Sequence, residues 1–177
     1  MSYSLADFDY VLPTDLIAQQ PLAKRSASKL LAVDTKAKTF SDKRFNQIVD
    51  LIDSKDLVIF NDTKVFPARF NGAKSTGGKI EGLIERIVDA KIAWAHIKSS
   101  KSPKLNTMLQ LIPDLSVEVI DRHDDLFCLS IEKSSSQTWL PWLDNNGSLP
   151  LPPYITRQPE LPDYERYQTV YAQQVGA

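Results

Sequence analysis

The chain has 177 residues and a net charge of −1, and 42% of its residues are hydrophobic while 24% are charged. This balance excludes global disorder and provides a core for one ordinary domain or two small ones. The first ten residues lack the basic and apolar stretches of a signal peptide, and no apolar run is long enough to cross a bilayer. The single cysteine, Cys128, excludes an internal disulfide framework and predicts a buried thiol in a cytoplasmic protein.

The first part of the chain predicts short helices and strands in alternation. Residues 13–19 begin with a proline, which is typical of the start of a short helix. Residues 28–34 predict a strand, and residues 39–41 predict a second strand after a turn. The apolar residues between Phe45 and Ile52 recur at helical spacing, with polar residues on the opposite face.

Three polar residues follow a continuous apolar run. Leu57 to Phe60 predicts a strand buried on both faces, and Asn61, Asp62 and Thr63 come directly after it. Their amide, carboxylate and hydroxyl groups could hold ribose hydroxyls or an amine, or take part in proton transfer. The same residues also suit a turn that caps its own backbone, and the pattern alone favours neither interpretation.

Beyond Pro67 the pattern changes to short strands separated by turns. Six strands are predicted, at residues 68–72, 79–88, 92–98, 108–112, 115–120 and 126–131. No convincing helix lies between them, which is typical of a small β-barrel or sandwich. The glycine-rich stretch at 72–79 lacks the lysine and hydroxyl spacing of a phosphate-binding loop, so a hairpin turn is favoured there.

The last part of the chain returns to mixed elements. Residues 134–146 predict a helix that stops at Gly147 and carries two tryptophans as core anchors. Residues 149–154 are too rich in proline for a helix or a central strand. The stretch from Tyr164 to Ala177 predicts a strand.

These elements predict an α+β, β-rich fold with a discontinuous architecture. A small antiparallel β-barrel or sandwich, at residues 68–148, is inserted into an α/β base domain. Residues 1–67 form the first part of that base domain, and residues 149–177 return to it. The flanks offer only two short helices and about four strands, so the base domain is expected to be incomplete in this chain.

Charge is unevenly distributed along the chain. Between Lys64 and Lys104 there are nine basic and three acidic residues, a net +6, so the remainder is acidic. Such a segment predicts either a phosphate-binding face or solvated strand edges, and charge alone favours the strand edges. The histidines, His96 and His123, and the lone Cys128 do not have the spacing of a zinc site.

Seven motifs occur in a recognisable order and at recognisable intervals. They are residues 7–13 (DFDYVLP), 16–21 (LIAQQP), 28–31 (SKLL), 58–69 (VIFNDTKVFPAR), 77–81 (GGKIE), 150–155 (PLPPYI) and 165–172 (ERYQTVYA). Each motif alone is weak. Together, over the stretch from Asp7 to Ala177, they resemble the S-adenosylmethionine:tRNA ribosyltransferase-isomerase family, and seven motifs in register are highly specific.

The resemblance implies an enzyme that uses S-adenosylmethionine as a ribosyl donor. The family transfers and isomerises that ribosyl group onto 7-aminomethyl-7-deazaguanine at the wobble position of tRNAs with GUN anticodons. The products are epoxyqueuosine, adenine and methionine. The reaction needs a general base, a proton for adenine and a pocket that excludes water. The resemblance thus implies S-adenosylmethionine as co-substrate, such a tRNA as partner, no metal, no membrane and a monomeric protein.

The resemblance also places candidate site residues on the matching motifs as a group. Asp62 is the hypothetical proton acceptor or amine holder, while Arg69 and Arg157 are candidates for binding a phosphate or the methionine carboxylate. Lys79 and Glu81 are expected to contribute from the inserted domain. The other candidate binding residues are Asn61, Thr63, Tyr154, Tyr167, Gln168 and Tyr171.

Some positions depart from the family pattern. Lys29 and Lys64 stand where arginine is usual, which weakens bidentate contacts, and Gly82 stands where a bulky apolar residue is preferred. Family members continue after Gly176-Ala177 through roughly as much chain again, with further acid–base candidates. The 177-residue chain alone is therefore expected to be inactive or nearly so.

Two other interpretations stay open at this stage. The first is a stand-alone RNA-binding β module, which salt-dependent tRNA binding without S-adenosylmethionine binding would support. The second is a structural remnant that binds nothing, whose sign would be poor folding cooperativity and exposed apolar surface.

Overall fold

The computed structural model describes residues 3–176 and divides the chain into two compact units. The first unit comprises residues 3–59 and 153–157, and the second comprises residues 60–152 and 158–176. No helix within the described range is long and apolar enough to span a membrane.

A hairpin and several tight turns make up the first unit. Strand β1 (Lys29–Asp34) pairs antiparallel with β2 (Thr39–Arg44), and the Asp34 carboxylate accepts two backbone N–H groups of the turn at 2.8 and 2.9 Å. Short 3₁₀ helices occupy Leu5–Phe8, Thr14–Leu16, Arg25–Ala27 and Phe45–Leu51. The predicted strands are confirmed, and the two predicted helices are present as 3₁₀ helices.

None of the described residues in the first unit is buried. The strand predicted at residues 57–60 is wrong in this structure, because these residues form no strand and Leu57 and Ile59 are 86% and 83% exposed. A strand that is buried on both faces needs neighbours on both edges and both faces. Residues 3–176 place no such neighbours around this run.

The second unit begins with a short strand, β3 (Thr63–Val65), and continues into a closed barrel of six strands. The barrel strands are β4 (Arg69–Lys74), β5 (Lys79–Ile87), β6 (Ile92–Ser99), β7 (Met108–Leu111), β8 (Leu115–His123) and β9 (Leu126–Ile131). Their order is β4-β5-β6-β9-β8-β7, and each neighbouring pair is antiparallel. The predicted β-rich fold with a small antiparallel barrel is therefore confirmed.

Alternate residues of each strand fill the barrel interior. Ala93 and Ala95 of β6, and Val117 and Val119 of β8, are completely buried, as the two-residue period of a strand requires. Cys128 on β9 is also buried, as predicted, and burial raises the pKa of its thiol, with the Asp121 carboxylate adding to the effect. The barrel strands thus supply most of the side chains of the hydrophobic core.

One end of the barrel is covered by a helix, α1 (Trp139–Asn146). The Trp139 side chain is fully buried, its ring centroid lies 6.3 Å from that of Phe70, and its Nε1 donates to the Lys91 carbonyl at 2.9 Å. Trp142 is buried as well, so both tryptophans are core anchors as predicted. The helix stops at Gly147 as predicted, but it begins five residues later than expected.

At two positions of the barrel the structure requires glycine, for different reasons. Gly77, at φ 82°, forms the tight turn between β4 and β5, which confirms the predicted hairpin. Gly82 lies opposite Phe70, and a Cβ atom at Gly82 would approach the Phe70 ring to 2.0 Å. The aromatic ring therefore occupies the space of the bulky side chain that is usual at this position.

The end of the second unit differs from the prediction. A helix, α2 (Leu161–Arg166), forms where the predicted strand begins, because a proline near its start and a capping box between Glu160 and Asp163 favour helix. Only β10 (Gln174–Gly176) is a strand, and it runs parallel to β3. Ala177, the end of the predicted strand, lies outside the described residues. The domain limits after residues 67 and 148 remain predictions.

Candidate functional site

Hydrogen bonds fix the Asn61-Asp62-Thr63 loop against the last segment of the second unit. The Asp62 carbonyl accepts the backbone N–H groups of Gln173 and Gln174 at 2.7 and 3.1 Å. The Asn61 Oδ1 atom accepts the Thr63 N–H at 2.8 Å, so the Asx turn anticipated as an alternative is present. The Asp62 side chain is exposed, and its carboxylate makes no hydrogen bond or ion pair to any residue between 3 and 176.

The Gln168 side chain pairs with the backbone of β3. Its Oε1 accepts the Val65 N–H at 2.8 Å, and its Nε2 donates to the Val65 carbonyl at 2.7 Å. The amide thereby takes the place of a neighbouring strand at this residue and satisfies both backbone groups. The predicted binding residue Gln168 is thus held in one orientation by a structural contact.

Two predicted tyrosines of the second unit, Tyr167 and Tyr171, follow α2. The Tyr171 ring packs against that of Phe60 with centroids 4.5 Å apart, and the Tyr167 hydroxyl donates to the Pro150 carbonyl at 3.3 Å. The Thr169 hydroxyl donates to the Asn61 carbonyl at 2.8 Å, and this hydrogen bond joins the segment that carries the two tyrosines to the loop. Both tyrosines are partly exposed, Tyr171 at 51% and Tyr167 at 37%.

Arg69 and Glu81 form an ion pair across β4 and β5. The Arg69 Nη1 lies 2.5 Å from the Glu81 Oε1, and its Nη2 lies 3.5 Å from the Leu151 carbonyl. Both side chains are more than a third exposed, so the pair contributes at most about 1 kcal/mol to stability. Its main effect is to orient the guanidinium, one edge of which is already occupied by a carboxylate.

The remaining predicted residues lie elsewhere. Lys79 is exposed at the start of β5, beside the hairpin turn. In the first unit, the Tyr154 carbonyl accepts the Gln19 Nε2–H at 3.0 Å, and the Arg157 Nε donates to the Gln19 carbonyl at 2.9 Å. Gln19 also accepts the Thr156 N–H at 2.8 Å. Gln19 thus holds residues 154–157 by hydrogen bonds. It was not predicted as a site residue, although it belongs to the motif at residues 16–21.

A cavity of about 370 Å³ opens beside Gln168 within the second unit. The polar residues that line it are Lys64, Asp144, Tyr164 and Gln168. Its other walls come from Val65, Phe66, Pro67, Leu140 and Val175. The size is that of a small-molecule site. The motif containing Lys64 was recognised. Asp144 and Tyr164 were not predicted as site residues, because each has polar neighbours in the sequence, as is typical of a solvated helix face.

These side chains offer a limited set of chemical roles. An exposed carboxylate on a fixed loop can accept a proton or hold an amine, and the half-exposed aromatic faces can stack on a base. The oriented guanidinium can bind an anion if it shares the group with its carboxylate partner. Within residues 3–176, no group of three or more His, Cys, Asp or Glu side chains is arranged to hold a metal ion.

Comparisons with known proteins agree with the recognised motifs. A family model described as queuosine biosynthesis protein matches residues 5–177. Proteins named S-adenosylmethionine:tRNA ribosyltransferase-isomerase from the Dugway 5J108-111 and RSA 331 strains of Coxiella burnetii are each 45% identical over 175 residues, which is 99% of this chain. The match covers 50% of each relative, so the chain spans about half the length of the curated relatives it matches.

A solved structure is also similar to this chain. It is the crystal structure of S-adenosylmethionine tRNA ribosyltransferase from Thermotoga maritima, with 28% sequence identity and a TM-score of 0.39. The alignment covers 80% of this chain and 48% of that one.

Proposed function

Because the chain belongs to the queuosine biosynthesis protein family, we propose that it is the N-terminal half of an S-adenosylmethionine:tRNA ribosyltransferase-isomerase. The observation that carries the proposal is the family match over residues 5–177, together with 45% identity to relatives of that name. The proposed acceptor is 7-aminomethyl-7-deazaguanine at the wobble position of a tRNA with a GUN anticodon. A cytoplasmic location and a monomeric state accompany this proposal.

The proposed chemistry begins at the sulfonium of S-adenosylmethionine. The positive sulfur makes the neighbouring ribose carbon acidic, and a base removes a proton there. The sugar then opens and expels adenine, the acceptor amine attacks, and rearrangement to the epoxycyclopentane releases methionine. The protein contributes proton transfer, positioning and exclusion of water from the intermediates.

Asp62 is the proposed proton acceptor or amine holder in this half of the enzyme. Its carboxylate is exposed, while its carbonyl is anchored by two backbone hydrogen bonds, so the side chain is presented from a fixed position. The aromatic faces of Tyr167 and Tyr171 are proposed to stack on a base. Arg69 remains a candidate for binding the methionine carboxylate or a phosphate, in competition with Glu81.

We further propose that this chain alone has little or no turnover. The support is that the match covers only 50% of each curated relative. The other half of those proteins has no counterpart in this chain. The exposed carboxylate and aromatic faces are also open to solvent, whereas this chemistry needs a closed site.

Adenine release from S-adenosylmethionine, in the presence of tRNA carrying the aminomethyl-deazaguanine, tests the function. A protein that extends this chain to the full length of its relatives should release adenine. In that protein Asp62→Asn should slow release by roughly 10²–10⁴-fold, as expected for loss of a general base. The matched control is Asp50→Asn, another exposed carboxylate, which should leave the rate unchanged.

The possible outcomes test the assigned function and the role of Asp62 separately. No adenine release by the full-length protein would overturn the assigned function. Normal release by the Asp62→Asn protein would leave the function in place and remove the acid–base role of Asp62. An RNA-binding module without catalysis is the alternative function, and salt-dependent tRNA binding without any adenine release would favour it.

A further inference from the structure

The antiparallel alternation of the barrel strands brings three connections to one end. The β4–β5 turn, the β6–β7 loop and the β8–β9 turn all leave from this end, whereas α1 covers the opposite end. The first two connections are joined directly, because the Lys74 Nζ donates to the Lys101 carbonyl at 2.7 Å. The Ser99 hydroxyl donates to the same carbonyl at 2.7 Å, so the β6–β7 loop is tied to the end of its own strand as well.

Five lysines lie on the β6–β7 loop or on the strand ends that flank the two connections. They are Lys74, Lys79, Lys98, Lys101 and Lys104. Residues 73–80 and 97–113, which supply them, contain no aspartate or glutamate, although the chain as a whole has a net charge of −1. None of the five ammonium groups forms an ion pair with a carboxylate within residues 3–176. All but Lys74 are exposed. We call these five residues the lysine end.

The acidic residues on the strand and the turn beside the lysine end have contacts of their own. Glu81, opposite Lys98 in the β5–β6 ladder, is paired with Arg69. In the third connection, Asp125 lies 3.1 Å from the His96 Nδ1, and Asp124 lies 3.4 Å from the Nδ1 of the histidine beside it. The β8–β9 turn thus forms an acidic border on one side, which limits where a polyanion could lie.

We infer that the lysine end is a surface that binds the phosphate backbone of the tRNA substrate, an inference that rests on the proposed function. Clustered cations without internal partners concentrate positive potential, and lysine binds phosphate as a point charge without reading bases. Serines and exposed turn backbone between the lysines, at Ser75, Ser100 and Ser102, provide further donors for phosphate oxygens. The surface would position the tRNA and contribute no sequence recognition.

The test is binding of a labelled tRNA transcript by this chain over a range of salt concentrations. The triple variant Lys98→Gln, Lys101→Gln, Lys104→Gln removes three exposed charges without touching the Lys74 contact or the predicted site residue Lys79. The matched control, Lys36→Gln, Lys55→Gln, Lys133→Gln, removes the same charge from exposed positions outside the lysine end. Thermal unfolding of both variants should match that of the unchanged chain, because no buried side chain is altered.

We expect the triple variant to reduce the slope of log Kd against log salt by about two to three, and to weaken binding at least ~10-fold at low salt. The control variant should bind like the unchanged chain. An unchanged slope in the triple variant, equal losses in both variants, or no tRNA binding by the chain would each overturn the inference. Binding to anionic vesicles in place of tRNA would overturn it too.

Failure of the surface and failure of the proposed function give different results. In the first case, the full-length protein releases adenine, and the triple variant leaves both the KM for tRNA and the slope of log Kd against log salt unchanged. Only the inference about the lysine end is then wrong. If the full-length protein releases no adenine, but tRNA binding depends on these lysines, the surface is real and the proposed reaction is wrong.

Discussion

The two units of this chain differ in whether they bury their apolar side chains. The second unit holds all of the buried hydrophobic residues in the described range, and its barrel closes without a free sheet edge. The first unit contains a regular hairpin, yet Leu31, Val33 and Phe40 of its strands are 59–77% exposed. Because the hydrophobic effect depends on the area removed from water, regular hydrogen bonding alone gives the first unit little stability.

Apolar periodicity in a sequence identifies a strand or a helix, but it does not supply the surface against which that element packs. The barrel strands find their pairing partners within residues 69–131, whereas most of the large apolar side chains of residues 29–59 stay exposed in the described part. The chain spans about half the length of its curated relatives, and we propose that the remaining half of such a protein covers these side chains.

Removing a core side chain should have the largest effect. Leu129 on β9 is completely buried, so Leu129→Ala should lower the free energy of unfolding by about 2–5 kcal/mol. The matched variant Leu31→Ala, in β1, should change it by less than about 0.5 kcal/mol, because that side chain is already largely exposed. Urea unfolding followed by circular dichroism measures both. Equal losses would show that the first unit shares the core of the second.

A methyl group placed inside the barrel should have the next largest effect. Gly82→Ala puts a Cβ atom 2.0 Å from the Phe70 ring, which must move, and we expect a loss of about 1–3 kcal/mol. Gly78→Ala is the control, because its Cβ would meet the flexible end of the Lys74 side chain. It should cost less than about 1 kcal/mol. If both variants unfold alike, the ring at Gly82 is not held as described.

Loss of the Gln168 amide should open β3 locally. Gln168→Leu leaves the Val65 N–H and carbonyl without their partner, at a cost of about 1–2 kcal/mol. The Val65 amide should then exchange its hydrogen about tenfold faster or more, as measured by hydrogen–deuterium exchange. Gln173→Leu, at an exposed amide nearby, is the control and should leave that rate unchanged. An unchanged Val65 rate in Gln168→Leu would remove the structural role of this amide.

The smallest expected effect concerns Cys128, whose buried thiol should be protected from thiol reagents in the folded chain. Burial raises the pKa of its thiol, so at neutral pH the native chain should react with a thiol reagent far more slowly than the urea-unfolded chain. Because the native pKa exceeds the unfolded one, the resulting stability is present at neutral pH and is lost as pH rises through the native pKa. Rapid labelling of the native chain at neutral pH would contradict the buried position.

The sequence predicted local pattern well and distant pairing poorly. Six barrel strands, the Gly77 turn and the Gly147 helix stop all follow from alternation and from residues with specific backbone preferences. The parallel pairing of β3 with β10 joins residues more than one hundred positions apart, so nothing local indicates it. The prolines and capping residues that start α2 were a local signal, but the apolar residues after them were interpreted as a strand.

The candidate site was predicted by motif, and its geometry was not. Resemblance indicated Asn61, Asp62, Gln168 and Tyr171 as one group, and the structure brings hydrogen bonds and ring contacts among these segments. No pattern could show that the Gln168 amide would replace a strand, since that depends on the backbone of β3. Roles for these residues therefore depend on the proposed experiments.

Hydrogen–deuterium exchange of this 177-residue chain tests the comparison of the two units most directly. We expect the ladder amides of β6 and β9 to exchange at least ~10³ times more slowly than the ladder amides of β1 and β2, because only the barrel ladders open by global unfolding. Equal protection of the two sets of amides would show that the first unit is as stable as the barrel, and the contrast between the two units would be wrong.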